Sequence, residues 1–282
     1  EILSLLGENG SGKTTLMNML SGIYFPDEGQ IYIHGKPVTI ASPKDAFNYG
    51  IGMIHQHFKL VDVFTATENI VLGLEGKLDL AEAGKKVKEI CDKYGFDIDP
   101  NQKIYDMSVS QKQTVEIVKV LFRGADILIL DEPTAVLTPQ ETERLFKILR
   151  RMREQGCAII IITHKLNEVL SISDRVTILR KGKSIETVET AGCDEKKLTE
   201  LMVGRPISLN IDRPEMEKRE TILKIVDLTV DKSDGGVALD DISFEIKTGE
   251  ILGVAGVAGS GQKELCETLT GLMDAKKGAI LY

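Results

Sequence analysis

Four cysteines, Cys91, Cys157, Cys193 and Cys266, are all that this 282-residue chain contains, and they are scattered along it. They form no C-x-x-C pair and have no histidine at zinc spacing, so neither a metal knuckle nor a disulfide framework is expected, and reduced thiols in a cytosol fit best. Positive charge is also in short supply: 35 Lys and Arg stand against 43 Asp and Glu, a net charge of -8. A broad nucleic-acid surface needs clustered cations, so nucleic acid is not an expected partner. Long apolar runs are missing too. The longest aliphatic stretch, Ala158 to Ile162, falls far short of the roughly 20 residues that span a bilayer. Any membrane role must therefore come through a partner. No basic start followed by an apolar segment is visible, and the chain opens on Glu1 without Met, which leaves a leader undecided.

What is present is an ordinary globular composition, 42% apolar and 28% charged, with a length that allows roughly one to three domains. An internal repeat organises it. Glu1-Ile2-Leu3, Gly7, Gly10-Ser11-Gly12, Leu16, Leu20, Gly22, Gly29 and Ile31 recur as Glu250-Ile251-Leu252, Gly256, Gly259-Ser260-Gly261, Leu265, Leu269, Gly271, Gly278 and Ile280. The offset, from Glu1 to Glu250, is constant at 249 residues. Copy two is preceded by strand-like segments, Ile222 to Val230 and Ala238 to Ile246, that copy one lacks, and it stops at Tyr282. Both ends therefore read as cut, and an intact tandem protein of about 500 residues is expected.

Copy one alternates strands and helices, which predicts an α/β layer around a largely parallel sheet. Ile2 to Leu6 is a buried strand that runs into a glycine loop and then a helix from about Lys13. Ile127 to Leu130 and Ala158 to Ile162 are continuous aliphatic runs, as strands covered on both faces should be. Between them, Glu141 to Gln155 puts Leu145, Leu149 and Met152 on one helical face, with Gly156 as the stop. Arg175 to Arg180, Lys181-Gly182-Lys183 and Ser184 to Val188 read as strand, turn and strand. The middle section is helical: Ala81 to Lys93 spaces Val87, Ile90, Cys91 and Tyr94 for a helix, and Ser108 to Phe122 does so with Val115, Val118 and Phe122. The expected division is a first domain over 1–205 with a helical insert at about 62–124, a polar linker over 206–220 carrying Pro206 and Pro214, and the start of a second domain over 221–282.

Two segments carry chemistry. Gly7-Glu8-Asn9-Gly10-Ser11-Gly12-Lys13-Thr14 matches G-x-x-x-x-G-K-[ST] and sits between a predicted strand and a predicted helix. Such a loop turns backbone N–H groups inward around phosphate; its lysine reaches the β and γ phosphates, and its threonine can ligate Mg²⁺. Ile127-Leu128-Ile129-Leu130-Asp131-Glu132 ends a buried strand with two acids. Alone, such a pair is more often a helix cap or a solvated corner; paired with a phosphate loop, it puts Asp131 beside the metal and Glu132 near the attacking water.

With these motifs the chain resembles the ATP-binding-cassette family, over residues 1–205 and again from about 221 to the end. The family's glutamine loop matches Gln56 in Ile54-His55-Gln56-His57-Phe58, its histidine matches His164 after Ile162-Thr163, and its distal loop matches Ala135-Val136-Leu137-Thr138. The resemblance implies a P-loop core with a helical subdomain, ATP and Mg²⁺ as ligands, and nucleotide contacts from Gly7 through Thr14 and Thr15. It implies Thr14, Gln56 and Asp131 around the metal, and Glu132, His164 and Gln56 in catalysis. The family signature, L-S-G-G-Q, aligns with Met107-Ser108-Val109-Ser110-Gln111 and adds Ser108, Ser110 and Gln111 to the nucleotide contacts. Ser110 replaces a glycine, and Ser108 with Gln111 also reads as a capping box. Copy two departs further: Gln262-Lys263-Glu264 stands where copy one has Lys13-Thr14-Thr15, and no aromatic lies between Asp231 and Ile242 to stack adenine. A binder of nucleotide at most is expected there.

The intact first loop, the degraded second, and Leu201-Met202-Val203-Gly204-Arg205 before the linker resemble the ATPases of ribose, galactose and nucleoside importers. His55-Gln56-His57-Phe58 tilts the resemblance toward nucleosides. It implies transmembrane permease subunits and an extracytoplasmic solute-binding protein as partners, cassettes paired head-to-tail, and a place on the cytoplasmic face of the membrane. A ribosome-bound tandem factor would call for a long charged arm between cassettes, and a nucleotide-binding pseudo-enzyme would not call for Lys13, Asp131, Glu132 and His164 together. A metal pair at His55 and His57 has no further ligands beside it.

Overall fold

Aliphatic runs with no polar alternation need cover on both faces, and the computed structural model provides it. It describes residues 1–56, 58–74, 79–205, 220–232, 235–256 and 259–282. The chain divides into two compact units, Glu1–Ile207 and Ser208–Tyr282. The first runs β1 (Ile2–Leu6), α1 (Lys13–Leu20), β2 (Ile31–Ile33), β3 (Lys36–Val38), α2 (Pro43–Asn48), β4 (Ile51–Ile54), α3 (Ala66–Val71), α4 (Leu80–Tyr94) and α5 (Val109–Phe122). It continues through β5 (Ile127–Asp131), α6 (Pro139–Glu154), β6 (Ala158–Ile162), α7 (Leu166–Ile172), β7 (Arg175–Arg180), β8 (Lys183–Glu189) and α8 (Glu195–Val203).

Six strands form one sheet in the order β4-β5-β6-β1-β7-β8. All pairings are parallel except that of β8 with β7. Side chains of a strand alternate between faces, and the core divides accordingly. Ile2, Leu128, Leu130, Ile159 and Ile161 pack with Val115 and Val118 of α5 and Leu149 and Met152 of α6. Leu5, Ile129 and Ile162 pack with Met17 of α1. Each fully buried Leu or Ile contributes about 1.5–3 kcal/mol of transfer free energy, so the central strands anchor whatever their ends carry.

The helices begin where capping chemistry places them. Thr138 accepts from the Glu141 backbone and Glu141 reaches back, with Pro139 in the first turn, so α6 starts two residues before the expected Glu141. Ser108 and Gln111 form the expected capping box of α5. Ile90 and Phe122, expected on the buried faces of α4 and α5, are only half-buried against the core. In the first unit, sequence patterns miss the β2–β3 hairpin, α2, β4, α7 and α8. In β4, Gly52 is required by closeness rather than by a turn, because a Cβ there would lie 2.8 Å from Val120 Cβ and 3.0 Å from Ala125 Cβ.

In the second unit, β9 (Thr221–Asp231), β10 (Val237–Lys247) and β11 (Lys277–Leu281) form an antiparallel sheet in the order β10-β9-β11, and α9 (Gln262–Leu269) precedes β11. The repeat does not extend to local structure everywhere. Residues 251–255, the counterparts of β1, form no strand, and Ile251 is 98% exposed. β1 takes its hydrogen bonds from β6 and β7 on either side, and among the described residues of the second unit no parallel strand flanks this segment. The expected linker, 206–220, lies outside the described residues except for Glu220. Among the described residues, no helix is long and apolar enough to cross a membrane.

Candidate active site

Gln56, Asp131–Glu132, His164 and the Gly7–Lys13 loop follow the carboxyl ends of β4, β5, β6 and β1, which are successive neighbours in the sheet. Open parallel sheets bind ligands outside those ends. The topology thus gathers residues separated by up to 157 positions (His164 minus Gly7) along one edge.

The loop after β1 is tightly built. A Cβ on Gly7 would stand 2.3 Å from the Leu179 carbonyl oxygen and 2.5 Å from Ser11 Oγ, and Gly10 and Gly12 have φ of 78° and 97°, values that disfavour any side chain. Lys13 is buried, and its ammonium donates to the Gly7 carbonyl at 2.7 Å, the Glu8 carbonyl at 2.9 Å and Ser11 Oγ at 3.3 Å. Burial pushes its pKa below the usual lysine value, against the pull of Glu132 and Asp131. Side chains of Ser42, Thr65, Asp79, Ser108, Thr138 and Asp194 cap α2, α3, α4, α5, α6 and α8. The first turn of α1 follows Gly12 with no side-chain cap, which leaves its N–H groups to an anion. The adjoining cleft, about 330 Å³, is lined by Asn9 to Thr15, Gln56, Asp131, Glu132 and Ile162. This donor set suits a triphosphate, and Thr14, Gln56 and Asp131 line the same cleft with oxygens suited to a hard divalent cation.

The two acids occupy different environments. Asp131 ends β5, and burial, then the neighbouring Glu132 charge, raises its pKa, with His55 and Lys13 opposing. Glu132 sits in the left-handed region at φ 45°, a conformation rare outside glycine. Its N–H donates to the Ile162 carbonyl at 2.9 Å and its own carbonyl accepts from Ala135 N–H at 3.1 Å. Its carboxylate is shared: Oε1 is 3.0 Å from His164 Nδ1, and Oε2 accepts from Gln56 Nε2 at 3.4 Å. His55 is half-buried, and burial and then Lys59 lower its pKa; His57 lies outside the described residues.

Ser108, Ser110 and Gln111 are not brought to this cleft. They line a separate one of about 580 Å³ with Glu141, Arg144 and Lys147. In the second unit, Gln262 Nε2 donates to the Val254 carbonyl at 3.3 Å, and Lys263, its side chain 80% exposed, pairs with Glu267 at 3.7 Å. Sequence reading also misses the polar residues behind Glu132, namely Gln113, Thr134, Thr163, Lys165 and Glu168. Isolated polar residues carry no motif; burial marks three of them, Thr134, Thr163 and Gln113, at 1%, 2% and 4% exposed, and Lys165 and Glu168 are marked only by their contacts with them.

The family model described as "ABC transporter" matches residues 1–135. The chain is 49% identical over 284 aligned positions to the nucleoside import ATP-binding protein NupA of Lactococcus lactis, covering 99% of this chain and 56% of that one. It is 48% identical, with the same coverage of both, to the guanosine import ATP-binding protein NupO of Bacillus subtilis. The chain thus spans about half the length of these curated relatives. The solved structure of cbiO1 from Clostridium perfringens, part of the ABC transporter complex cbiONQ, superposes with a TM-score of 0.60 at 30% identity, covering 68% of this chain and 78% of that one.

Proposed function

Because the chain belongs to the ABC transporter ATP-binding family, we propose that its first unit is the ATP-hydrolysing motor of an importer, and that the cargo is a nucleoside. The single observation that carries the hydrolytic reading is the Glu132 carboxylate, held in a left-handed turn at the mouth of the phosphate-loop cleft and shared between His164 and Gln56.

In this reading Asn9 to Thr15 and the uncapped first turn of α1 cradle the phosphates, with Lys13 as the fixed cation. Lys13 has only to exchange its three contacts on loop oxygens for phosphate oxygens. Thr14, Gln56 and Asp131 would hold Mg²⁺, which when bound neutralises charge on the phosphate oxygens. Glu132 accepts the proton of the attacking water as that oxygen bonds to the γ phosphorus and the bond to the ADP oxygen breaks. His164, hydrogen-bonded to Glu132 through Nδ1, orients that carboxylate. Ser108, Ser110 and Gln111, in their own cleft, serve the nucleotide of an opposing cassette paired head-to-tail. The second unit is read as the start of a degenerate cassette after a linker over 206–220.

The nucleoside assignment rests on His55-Gln56-His57-Phe58 and on the import functions in the names of NupA and NupO. Transmembrane permease subunits and an extracytoplasmic solute-binding protein are the proposed partners, with this chain held at the cytoplasmic face through the permease; the lack of a membrane-crossing helix among the described residues is compatible with that. The test is reconstitution of the full-length protein with the proposed permease and solute-binding protein. ATP hydrolysis stimulated by nucleosides and not by ribose or galactose is the expected result. Stimulation by a sugar alone would reassign the cargo.

A further inference from the structure

Glu132 is held in a conformation its own backbone disfavours, so the surrounding contacts must impose it. The residues that follow it are engaged from two sides. The Pro133 carbonyl accepts from Gln113 Nε2 of α5 at 2.7 Å. The Thr134 carbonyl accepts from Lys165 Nζ at 3.0 Å, and Thr134 Oγ1 donates to Glu168 Oε2 at 2.6 Å. The same Glu168 oxygen accepts from Thr163 Oγ1 at 3.4 Å, while Oε1 pairs with Lys165 Nζ at 3.0 Å. Thr163 Oγ1 in turn accepts from Lys165 N–H at 3.1 Å. Thr134 and Thr163 are fully buried and the Glu168 side chain is 13% exposed, with the 41% exposed Lys165 side chain closing the network on its solvent side; a satisfied polar network of this kind rigidifies what it joins.

Behind the Glu132–His164 contact, the network bridges the two segments that carry these residues: the turn after β5, with Glu132, and the segment after β6, with His164 between Thr163 and Lys165. We propose that Glu168 is a positioning residue of the hydrolytic site, a carboxylate that ties these segments together and so sets the Glu132–His164 pairing. The proposal rests on the hydrolytic reading given above. Glu168 lines no part of the phosphate-loop cleft. Its loss would leave the Thr134 hydroxyl without its acceptor and the Lys165 ammonium without its counterion, and would touch no phosphate donor.

The test measures ATP turnover and equilibrium binding of a fluorescent ATP analogue on the full-length protein. Glu168→Ala should lower kcat by about tenfold or more with KM and analogue affinity changed by less than about twofold, since misplacement of a general base costs rate rather than binding. Glu168→Gln should recover most of the rate, because its amide oxygen still accepts from Thr134. Thr134→Val, which removes the donated bond and keeps the packing volume, should reproduce the loss and decides the matter alone if Glu168→Ala does not fold. In a Glu132→Gln background, Glu168→Ala should add nothing further, because residues acting as a unit are not additive. An unchanged kcat in Glu168→Ala and Thr134→Val, a parallel loss of nucleotide affinity, or a full additional loss on top of Glu132→Gln would each overturn the proposal. Wild-type turnover in Glu132→Gln alone would instead overturn the hydrolytic reading, a result separable from any outcome at Glu168.

Discussion

Glu132 and His164, 32 residues apart, meet at 3.0 Å between Oε1 and Nδ1 because β5 and β6 are parallel neighbours in register, with Asp131 opposite Ile162. Both residues therefore emerge from the same edge of the sheet, and neither could reach the other from an antiparallel arrangement of the same strands. The phosphate loop leaves β1 on the far side of β6, so cation and carboxylate converge on one cleft while remaining on separate elements.

That separation predicts different phenotypes for the two groups. Lys13→Ala should weaken ATP binding by about tenfold to a hundredfold, the worth of one or two charge-assisted contacts. Glu132→Gln should keep ATP affinity and lower kcat by on the order of 10² or more, because it damages water activation and spares the phosphate cradle. Equilibrium nucleotide binding and turnover measured together check this, and equal loss of affinity in both would sink the division of roles.

Gly7→Ala should fail structurally, since the added carbon would have to occupy space 2.3 Å from the Leu179 carbonyl oxygen. Overpacking of this kind costs roughly 1–3 kcal/mol, read as a lower denaturation midpoint. Gly10→Ala meets no neighbour within 4 Å and strains only its φ of 78°, so it should cost less. The reverse ranking would contradict the geometry.

Asp131→Asn should stabilise the nucleotide-free protein at neutral pH while abolishing hydrolysis. The Asp131 pKa is raised, chiefly by burial, so the folded state binds its proton more tightly than the unfolded state does. Stability from that protonation is complete below the ordinary value of 3.8 and is lost as pH rises through the folded value. The gain from Asn should therefore be largest at neutral pH and vanish in acid below that ordinary value. Thermal melts of both proteins across pH check the sign; a destabilised Asn variant at neutral pH would mean that Lys13 and His55 attract Asp131 more than burial opposes its charge.

If the two cassettes pair head-to-tail in the full-length protein, the departures at Gln262 and Ser110 fall in one composite site, and Lys13, Asp131 and Glu132 in the other. Restoring Gln262→Lys with Lys263→Thr should then leave turnover near wild type. Lys13→Ala should remove nearly all of it, a loss of on the order of 10² or more. A Lys13→Ala protein that kept half the wild-type rate would show two equivalent sites.

Much of the site was legible because its parts carry local signatures. A glycine-rich loop with Lys13 and Thr14 after Ile2–Leu6, and acids at the end of Ile127–Asp131, follow from residue types and spacing, and the structure places both on the cleft. Gln56 was legible only through the family resemblance, because β4, the strand that delivers it, is four residues long with a glycine inside. Gly52 there is chosen by contact with Val120 and Ala125, which no local pattern reports. Thr134, Lys165 and Glu168 were not legible at all, since a buried hydrogen bond between distant polar residues has no periodicity.

By itself, then, the sequence determined the alternation of strand and helix, the capped start of α5, the phosphate loop and the acid pair, because each depends on neighbours within a few residues along the chain. Only the tertiary structure decided that β4, β5, β6 and β1 lie side by side, that the Glu132 carboxylate is shared between His164 and Gln56, and that the Ser108 segment faces a different cleft. It also decided that the segment 251–255, despite repeating the β1 region, forms no strand. The order and pairing of β4, β5, β6 and β1 depend on partners from 31 residues (Ile127 with Ala158) to 157 residues (Ile2 with Ile159) away, and the hydrogen bonds of a parallel strand exist only where such partners are supplied.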